Sequence, residues 1–257
     1  GDPSAVSRLG DEETVDKLQA LRVYDQYRQL ISTAPLEIIY SGSADLERVR
    51  LALAAAFATL PREEVRMISS AAPHVGRETV QYVEDAMDVT QGKLGMGFFC
   101  GSSDMPALLM GNTLFGGSSN SKLFLNVREK LSLCYYASSL YHRQKGLITV
   151  SSGIEFQNYQ RAYDEIMAQL EAVQKGELED WELEGARSTL LNSYATVGDS
   201  QGKLENFYLG QAATGQHETP ADLARAIQDM TAERICRAMS TVKLDTVYFL
   251  KGKEAEA

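Results

Sequence analysis

The histidines are the first residues to test for metal chemistry. His74, His142 and His217 lie far apart along the chain, and no HxxEH, HExxH or i, i+4 pair occurs. No helix turn can therefore present two imidazoles to one metal ion, which is how many zinc enzymes bind their metal. A site assembled from distant parts of the chain stays open, but histidines with this spacing are mostly ordinary polar residues. We expect this chain to bind no metal.

A glycine-rich segment has the outline of a phosphate-binding loop. Residues 111–118 read GNTLFGGS, but Gly117 stands where GxxxxGK[ST] has its lysine. Without that cation the phosphates lose their charge partner, so the sequence does not favour nucleotide binding. Ser119 and Lys122 satisfy SxxK, but the SDN and KTG motifs of a penicillin-binding site are missing.

Residues 114–136, LFGGSSNSKLFLNVREKLSLCYY, carry the most specific pattern in the chain. They resemble the M16 family of pitrilysin-, insulinase- and processing-peptidase-like proteins, whose second half has a pattern of the form GGxxSxLFxxVREKxGLAY. Two positions depart from the pattern, because Ser132 replaces its last glycine and Cys134 its alanine. Weaker likeness extends to residues 36–60, 182–187 and 231–252.

The resemblance implies a LuxS/MPP-like metallohydrolase fold, in which two related α+β halves close on a peptide. In active members the first half binds zinc through HxxEH and a later glutamate, and the second half contributes an arginine and a tyrosine. Those residues are Arg128 and Tyr135 here. A guanidinium and a phenol directed at the developing oxyanion would lower the barrier electrostatically. The plainer alternative is that Arg128 caps its helix and Tyr135 packs in the sheet.

The same resemblance gives the glycine-rich segment a role in contacting a peptide. This segment consists of Gly116, Gly117, Ser118, Ser119 and Asn120. The alternative is structural: Gly116 and Gly117 form the C-cap of one helix, which leads directly into the N-cap of the next.

Three functional hypotheses follow. HxxEH is missing, so we expect no catalytic residue and no cofactor in this chain, with zinc confined to a missing half or a partner. The first hypothesis is a non-catalytic M16-like domain that binds a peptide or a zinc-bearing M16 partner. In this hypothesis the chain is similar to the "inactive domain" proteins, which include bacterial proteins associated with modification of elongation factor P. The second is the substrate-binding half of an active zinc endopeptidase, and the third is a structural, core-like assembly subunit.

The elements that must position these residues indicate an α+β fold. Helical spacing predicts helices over Asp11–Ile31, Asn120–Leu131 and two longer segments that begin near Tyr159 and Leu183. Capping residues predict two short helices, which start at Thr219 and Thr231. The predicted strands are 36–40, 78–90 paired with 93–101, 133–144, 147–155 and 246–250. This order favours a mostly antiparallel sheet with helices packed on one face.

Composition excludes other classes of function. The chain has 257 residues, a hydrophobic fraction of 44% and a formal net charge of −10. Its negative field repels nucleic acid. The densest apolar run, residues 51–60, is about half of the ~20 residues that a membrane span requires. An odd number of cysteines argues against a disulfide framework.

We therefore expect a cytoplasmic chain that forms one M16 C-terminal, inactive-type domain over residues 1–257, with a helical lead-in at 1–33. Because it begins without Met or a leader, we interpret it as half of a longer protein. Its expected partners are a peptide or protein segment and an M16 partner chain or its own N-terminal half, with a homodimer as an alternative.

Overall fold

The structure is a computed structural model that describes residue 7, residues 9–65 and residues 75–253. The chain divides into two compact units. The helical unit comprises Gly1–Ala72 and Ser200–Gln216, and the sheet unit comprises Pro73–Asp199 and His217–Ala257. That residues 1–257 form one family domain stays a prediction.

The described part of the helical unit contains four helices, which are α1 (Glu12–Asp16), α2 (Ala20–Thr33), α3 (Leu46–Phe57) and α7 (Gln201–Thr214). Side-chain caps begin three of them: Asp11, Asp45 and Ser200 accept hydrogen bonds from backbone amides three residues ahead. The helix predicted over residues 11–31 is thus divided into α1 and α2. Neither α2 nor α3 buries an apolar side chain, and Leu21, Tyr24, Tyr27 and Leu30 of α2 are more than half exposed.

The strand predicted at residues 36–40 does not form. This segment has no regular secondary structure, and Leu36 and Ile38 are exposed. A strand needs a neighbour to pair its backbone groups, and no strand of the described chain pairs with LEIIY. The β-branched residues of this segment favour a strand, but without a partner strand they do not form one.

The sheet unit contains one five-stranded sheet. Its strands are β1 (Gln81–Met87), β2 (Gly92–Cys100), β3 (Cys134–His142), β4 (Leu147–Ile154) and β5 (Val242–Gly252), in the spatial order β1-β5-β2-β4-β3. Only β1 and β5 run parallel, so the mostly antiparallel sheet is confirmed. The predicted pairing of β1 with β2 is wrong, because β5 lies between them.

The remaining elements pack on one face of the sheet. They are α4 (Met105–Asn112), the π-helical turn π1 (Thr113–Gly117), the π-helix π2 (Leu123–Lys130), α5 (Tyr159–Lys175), α6 (Asp180–Ala195), α8 (Pro220–Gln228) and α9 (Ala232–Met239). Alternate strand residues such as Met96, Phe98, Ile148 and Val150 are buried in the same core as Ile166 of α5. No helix in the described ranges combines the length and apolar character that a membrane crossing needs.

A buried ion pair joins the residue before π2 to the start of α6. Lys122 Nζ lies 3.0 Å from both carboxylate oxygens of Glu182, and the two side chains are only 10% and 7% exposed. Glu182 also accepts a hydrogen bond from the backbone amide of Glu179, completing a capping box. One carboxylate therefore caps α6 and anchors the glycine-rich segment.

Replacement of Glu182 tests this anchor. Glu182→Ala leaves the Lys122 ammonium buried without its partner, so we expect the free energy of unfolding to fall by about 3–5 kcal/mol. Equilibrium urea unfolding measures the loss. The matched control is Glu184→Ala on the same helix, whose carboxylate is exposed beside Arg187 and should contribute less than about 1 kcal/mol. Equal losses for the two variants would contradict the anchoring role.

Candidate functional site

The residues predicted to contact a peptide lie on three consecutive elements. The glycine-rich segment, Gly116–Asn120, joins the end of π1 to the start of π2; Arg128 lies in π2, and Tyr135 lies near the start of β3. The predicted helix over 120–131 is confirmed, but its hydrogen bonding is π-helical: the Leu131 amide donates to the Asn126 carbonyl at 3.1 Å. π-Helical turns are rare and often occur at functional sites.

Gly116 permits a very close contact between π1 and β3. A Cβ atom at this position would lie 2.7 Å from Leu123 Cδ1 and 2.8 Å from the backbone nitrogen of Ser139. At Gly117 a Cβ atom would lie 2.9 Å from Asn112 Nδ2. Both glycines lie within π1, whose C-cap is Ser118, so the alternative in which the two glycines form the C-cap is wrong. Glycine is required here because there is no room for a side chain.

Ser132 adopts the backbone conformation for which the M16 pattern uses glycine. Its φ is +50°, and no other non-glycine residue of the described chain has a positive φ. The Ser132 amide donates to the Arg128 carbonyl at 3.1 Å, and the Leu133 amide donates to the Val127 carbonyl at 3.0 Å. Ser132 therefore ends π2 in a left-handed turn, which costs a residue with a Cβ atom roughly 1 kcal/mol.

A β-bulge determines the orientation of Tyr135. Cys134 pairs with Ile154 and Tyr136 pairs with Gly153, which leaves Tyr135 as the extra residue of β3. Its side chain is 65% exposed. The alternative in which Tyr135 packs inside the sheet is therefore wrong. Two consecutive tyrosines that interrupt strand alternation are the sequence signal that could have revealed the bulge.

Tyr136 is a site residue that the sequence analysis missed. It lies across Gly153, where a Cβ atom would come within 2.6 Å of Tyr136 Cε1. The Lys93 ammonium lies 5.4 Å from the centroid of the Tyr136 ring, within the range of a cation–π contact. Since Gly153 pairs with both Tyr136 and Lys93, this contact spans three neighbouring strands.

Arg128 lines two surface grooves. The first, which we call the edge groove, has a volume of about 390 Å³ and is lined by Gly116–Ser119, Phe124, Arg128 and Tyr136–Ser139. The second, the bulge groove, has about 460 Å³ and is lined by Arg128, Glu129, Ser132–Tyr135, Glu155 and Asn158. The structure thus brings Arg128 and Tyr135 to one groove and Arg128 and four residues of the glycine-rich segment to the other. Asn120 lines neither groove.

The guanidinium of Arg128 keeps capacity for a further partner. It lies 4.7 Å from the centroid of the Phe124 ring and 3.5 Å from the Glu129 carboxylate. Its side chain is 40% exposed. An arginine has five N–H donors, so a carbonyl or carboxylate in either groove could accept hydrogen bonds from it. The plainer view of Arg128 as a helix cap alone does not account for its position between two grooves.

Other chemistry is poorly supported around these grooves. Burial raises the pKa of the Cys134 thiol, which therefore stays protonated at neutral pH and is a weak nucleophile. His142 contacts Thr149 Oγ1 at 2.9 Å. His74 lies outside the described residues, so its interpretation as an ordinary polar histidine stays a prediction. In the described ranges, no group of three His, Cys, Asp or Glu side chains could hold a metal ion.

Comparison with known proteins gives consistent matches. Residues 17–190 match the family model of the peptidase M16 inactive domain. The chain is 36% identical over 260 residues to the probable inactive metalloprotease YmfF of Bacillus subtilis (strain 168), an alignment that covers 98% of this chain and 60% of that protein.

Solved structures share the fold. A conserved protein from Enterococcus faecalis has a TM-score of 0.86 and 25% identity, covering 100% of this chain and 61% of that one. A peptidase M16 inactive domain from Pseudomonas fluorescens has a TM-score of 0.78 and 15% identity, covering 99% of this chain and 63% of that one. The chain spans about three fifths of the length of these relatives.

The conformation of Ser132 generates a stability prediction. Ser132→Gly removes the Cβ atom from a left-handed position and should raise the free energy of unfolding by about 0.5–1 kcal/mol. Chemical denaturation measures the change. Ser132→Ala, which keeps the Cβ atom, is the control and should bring no gain; a gain in both variants would show that the serine hydroxyl, and not the backbone, is unfavourable.

The close contact at Gly116 generates a second stability prediction. Gly116→Ala should destabilise the chain by about 1–3 kcal/mol, because the added methyl group overlaps the β3 backbone. The control is Gly95→Ala on β2, where the nearest atom to an added Cβ lies 3.8 Å away. Thermal and urea unfolding would compare the two. If Gly116→Ala is as stable as Gly95→Ala, the contact with β3 does not depend on the glycine.

Proposed function

Because the chain belongs to the peptidase M16 inactive domain family, we propose that it binds a polypeptide segment without cleaving it. The segment belongs to a peptide, to the remaining part of a longer protein or to a zinc-bearing M16 partner. The binding residues are those of the glycine-rich segment together with Arg128 and Tyr135. The cytoplasmic location of the chain is part of the same proposal.

The position of Arg128 between the edge groove and the bulge groove supports this proposal most directly. On one side lie the exposed Gly117 and Ser119, and on the other lies the phenol of Tyr135, turned outward by the bulge. Guanidinium and phenol groups both donate hydrogen bonds to carbonyl oxygens. A polypeptide that crosses π2 would therefore meet a donor in each groove.

The described residues do not fit zinc. They provide no cluster of three ligand side chains, and zinc sites in proteins use three or four. Any zinc would then belong to the remaining part of a longer protein or to a partner chain. Arg128 and Tyr135 then act on a bound carbonyl only by donating hydrogen bonds.

One alternative keeps specific support, because the chain spans about three fifths of the relatives it matches. It would be the substrate-binding half of an active zinc endopeptidase. The sequence encoded before Gly1 discriminates the two: HxxEH followed by a glutamate favours the endopeptidase, and a preceding half without HxxEH favours the non-catalytic domain.

Peptide binding by single variants tests the proposal. Peptides selected from a random phage-displayed library on the 257-residue chain are labelled, and their affinity is measured by fluorescence anisotropy. Arg128→Ala should weaken binding about tenfold or more, since hydrogen bonds to charged groups contribute about 1.5–3 kcal/mol. Tyr135→Phe should weaken it about threefold, as expected for loss of one neutral hydrogen bond.

The controls are Arg161→Ala on α5 and Tyr208→Phe on α7, which remove the same groups at exposed positions outside the grooves. Both should bind the selected peptides as the parent chain does. If Arg128→Ala and Tyr135→Phe also retain full affinity, neither residue takes part in peptide binding and this proposal is wrong.

A further inference from the structure

We infer that the bulge groove binds a basic side chain of the polypeptide, a lysine or an arginine, through the carboxylate of Glu155. This inference rests on the proposed function and adds the class of residue that the polypeptide presents to this groove. Three features of the described chain support it, which are the position of the Glu155 carboxylate, the balance of charge in the groove and the ring of Tyr135.

The first feature is the position of Glu155, directly after β4 and next to the bulge of β3. Ile154, the residue before it, pairs with Cys134, the residue before Tyr135. The 3-10 turn that follows, Phe156–Asn158, holds the backbone, because the amide of its last residue donates to the Glu155 carbonyl at 2.9 Å. Strand pairing and turn together place Glu155 among the residues that line the bulge groove.

The Glu155 carboxylate is available to a ligand. Its side chain is exposed, and no lysine or arginine of the described ranges pairs with it. The side-chain amide of Gln157 donates one hydrogen bond to it at 2.9 Å. An ionised carboxylate accepts at about four lone-pair sites, so most of its accepting capacity is unused. The N–H groups of an ammonium or a guanidinium match these acceptors.

The second feature is the balance of charge in the groove. The charged residues that line it are Arg128, Glu129 and Glu155. Arg128 and Glu129 lie 3.5 Å apart, so their charges offset one another. The negative charge of Glu155 is then left without a counterion, and the groove favours a cation over an anion.

The third feature is the ring of Tyr135. The bulge leaves this side chain 65% exposed, and it lines the same groove as Glu155. The face of an aromatic ring attracts a cation. A basic side chain can also lay its methylene groups along the ring while its charged end reaches the carboxylate. Lysine and arginine combine these two properties.

The test must separate this site from the field of the whole chain. A net charge of −10 attracts basic peptides to every part of the surface, and that attraction does not depend on one carboxylate. The matched control is therefore Glu205→Gln on α7, which removes the same charge at another exposed position. Glu155→Gln removes the charge in the groove and keeps the shape of the side chain.

The probes are the peptides that the 257-residue chain selects from the random phage-displayed library. Sequencing should show lysine or arginine enriched at one position relative to the unselected library. Replacing that residue by glutamine should weaken binding to the parent chain about fivefold, measured by fluorescence anisotropy, as expected for a favourable ion pair with partial exposure. In Glu155→Gln the same replacement should change the affinity less than about twofold, whereas in Glu205→Gln the fivefold preference should persist.

The outcomes separate the two proposals. If the selected peptides carry no enriched basic residue, or if its replacement by glutamine leaves the affinity unchanged, the inference is overturned, whereas weaker binding to Arg128→Ala would leave the proposed function intact. An equal preference for the basic residue in the parent and in Glu155→Gln also overturns it, because the attraction then comes from the net charge. A chain that selects no peptide at all contradicts both proposals.

Discussion

The contact between Gly116 and the backbone of β3 is the constraint on which the candidate site depends. Atoms of Leu123 and Ser139 occupy the space that a side chain at residue 116 would need, so π1 can end directly against the strand. Because of that contact, the glycine-rich segment lies at the edge of the sheet. It also determines where π2, the helix that contains Arg128, begins. A larger residue at 116 would move all of these groups together, because they follow one another along a short stretch of chain.

Three further features hold the same stretch in place. The buried ion pair of Lys122 and Glu182 joins this stretch to α6, and the left-handed turn at Ser132 ends π2. The bulge at Tyr135 turns its side chain toward solvent, an orientation that regular strand pairing would not give it. Two of these features are energetically costly alone, since a buried charge and a strained φ both oppose folding. They persist because the surrounding packing determines the backbone path.

Sequence reasoning identified the elements whose signals are local. The alternation of Ile148, Val150 and Ile154 gave β4, and the caps at Thr219 and Thr231 gave α8 and α9. It failed where the outcome depends on distant residues. LEIIY has strand-forming residues but pairs with no strand of the described chain. β1 and β2 do not pair because β5, which follows them by about 140 residues or more, lies between them. The π-helical turns were missed because they depend on packing against β3, which no local pattern reports. The bulge was missed although the consecutive Tyr135 and Tyr136 gave a local signal for it. Within the site, Arg128 and Tyr135 were predicted from the family resemblance. Tyr136 was not predicted, because its contact with Lys93 spans three strands and depends on the order of those strands in the sheet.

The insertion of β5 between β1 and β2 has a consequence for biosynthesis. β5 ends at Gly252, and it supplies the only strand neighbour of β1 and one of the two neighbours of β2 in the described sheet. While the ribosome is still making residues 101–241, β2 can pair with β4, but its other edge and the whole of β1 must wait. Such non-local pairing slows folding and leaves unpaired strand edges exposed in the meantime. The nascent chain is therefore vulnerable to aggregation until residues 242–252 have been made, and a deletion that removes β5 would make that transient state permanent.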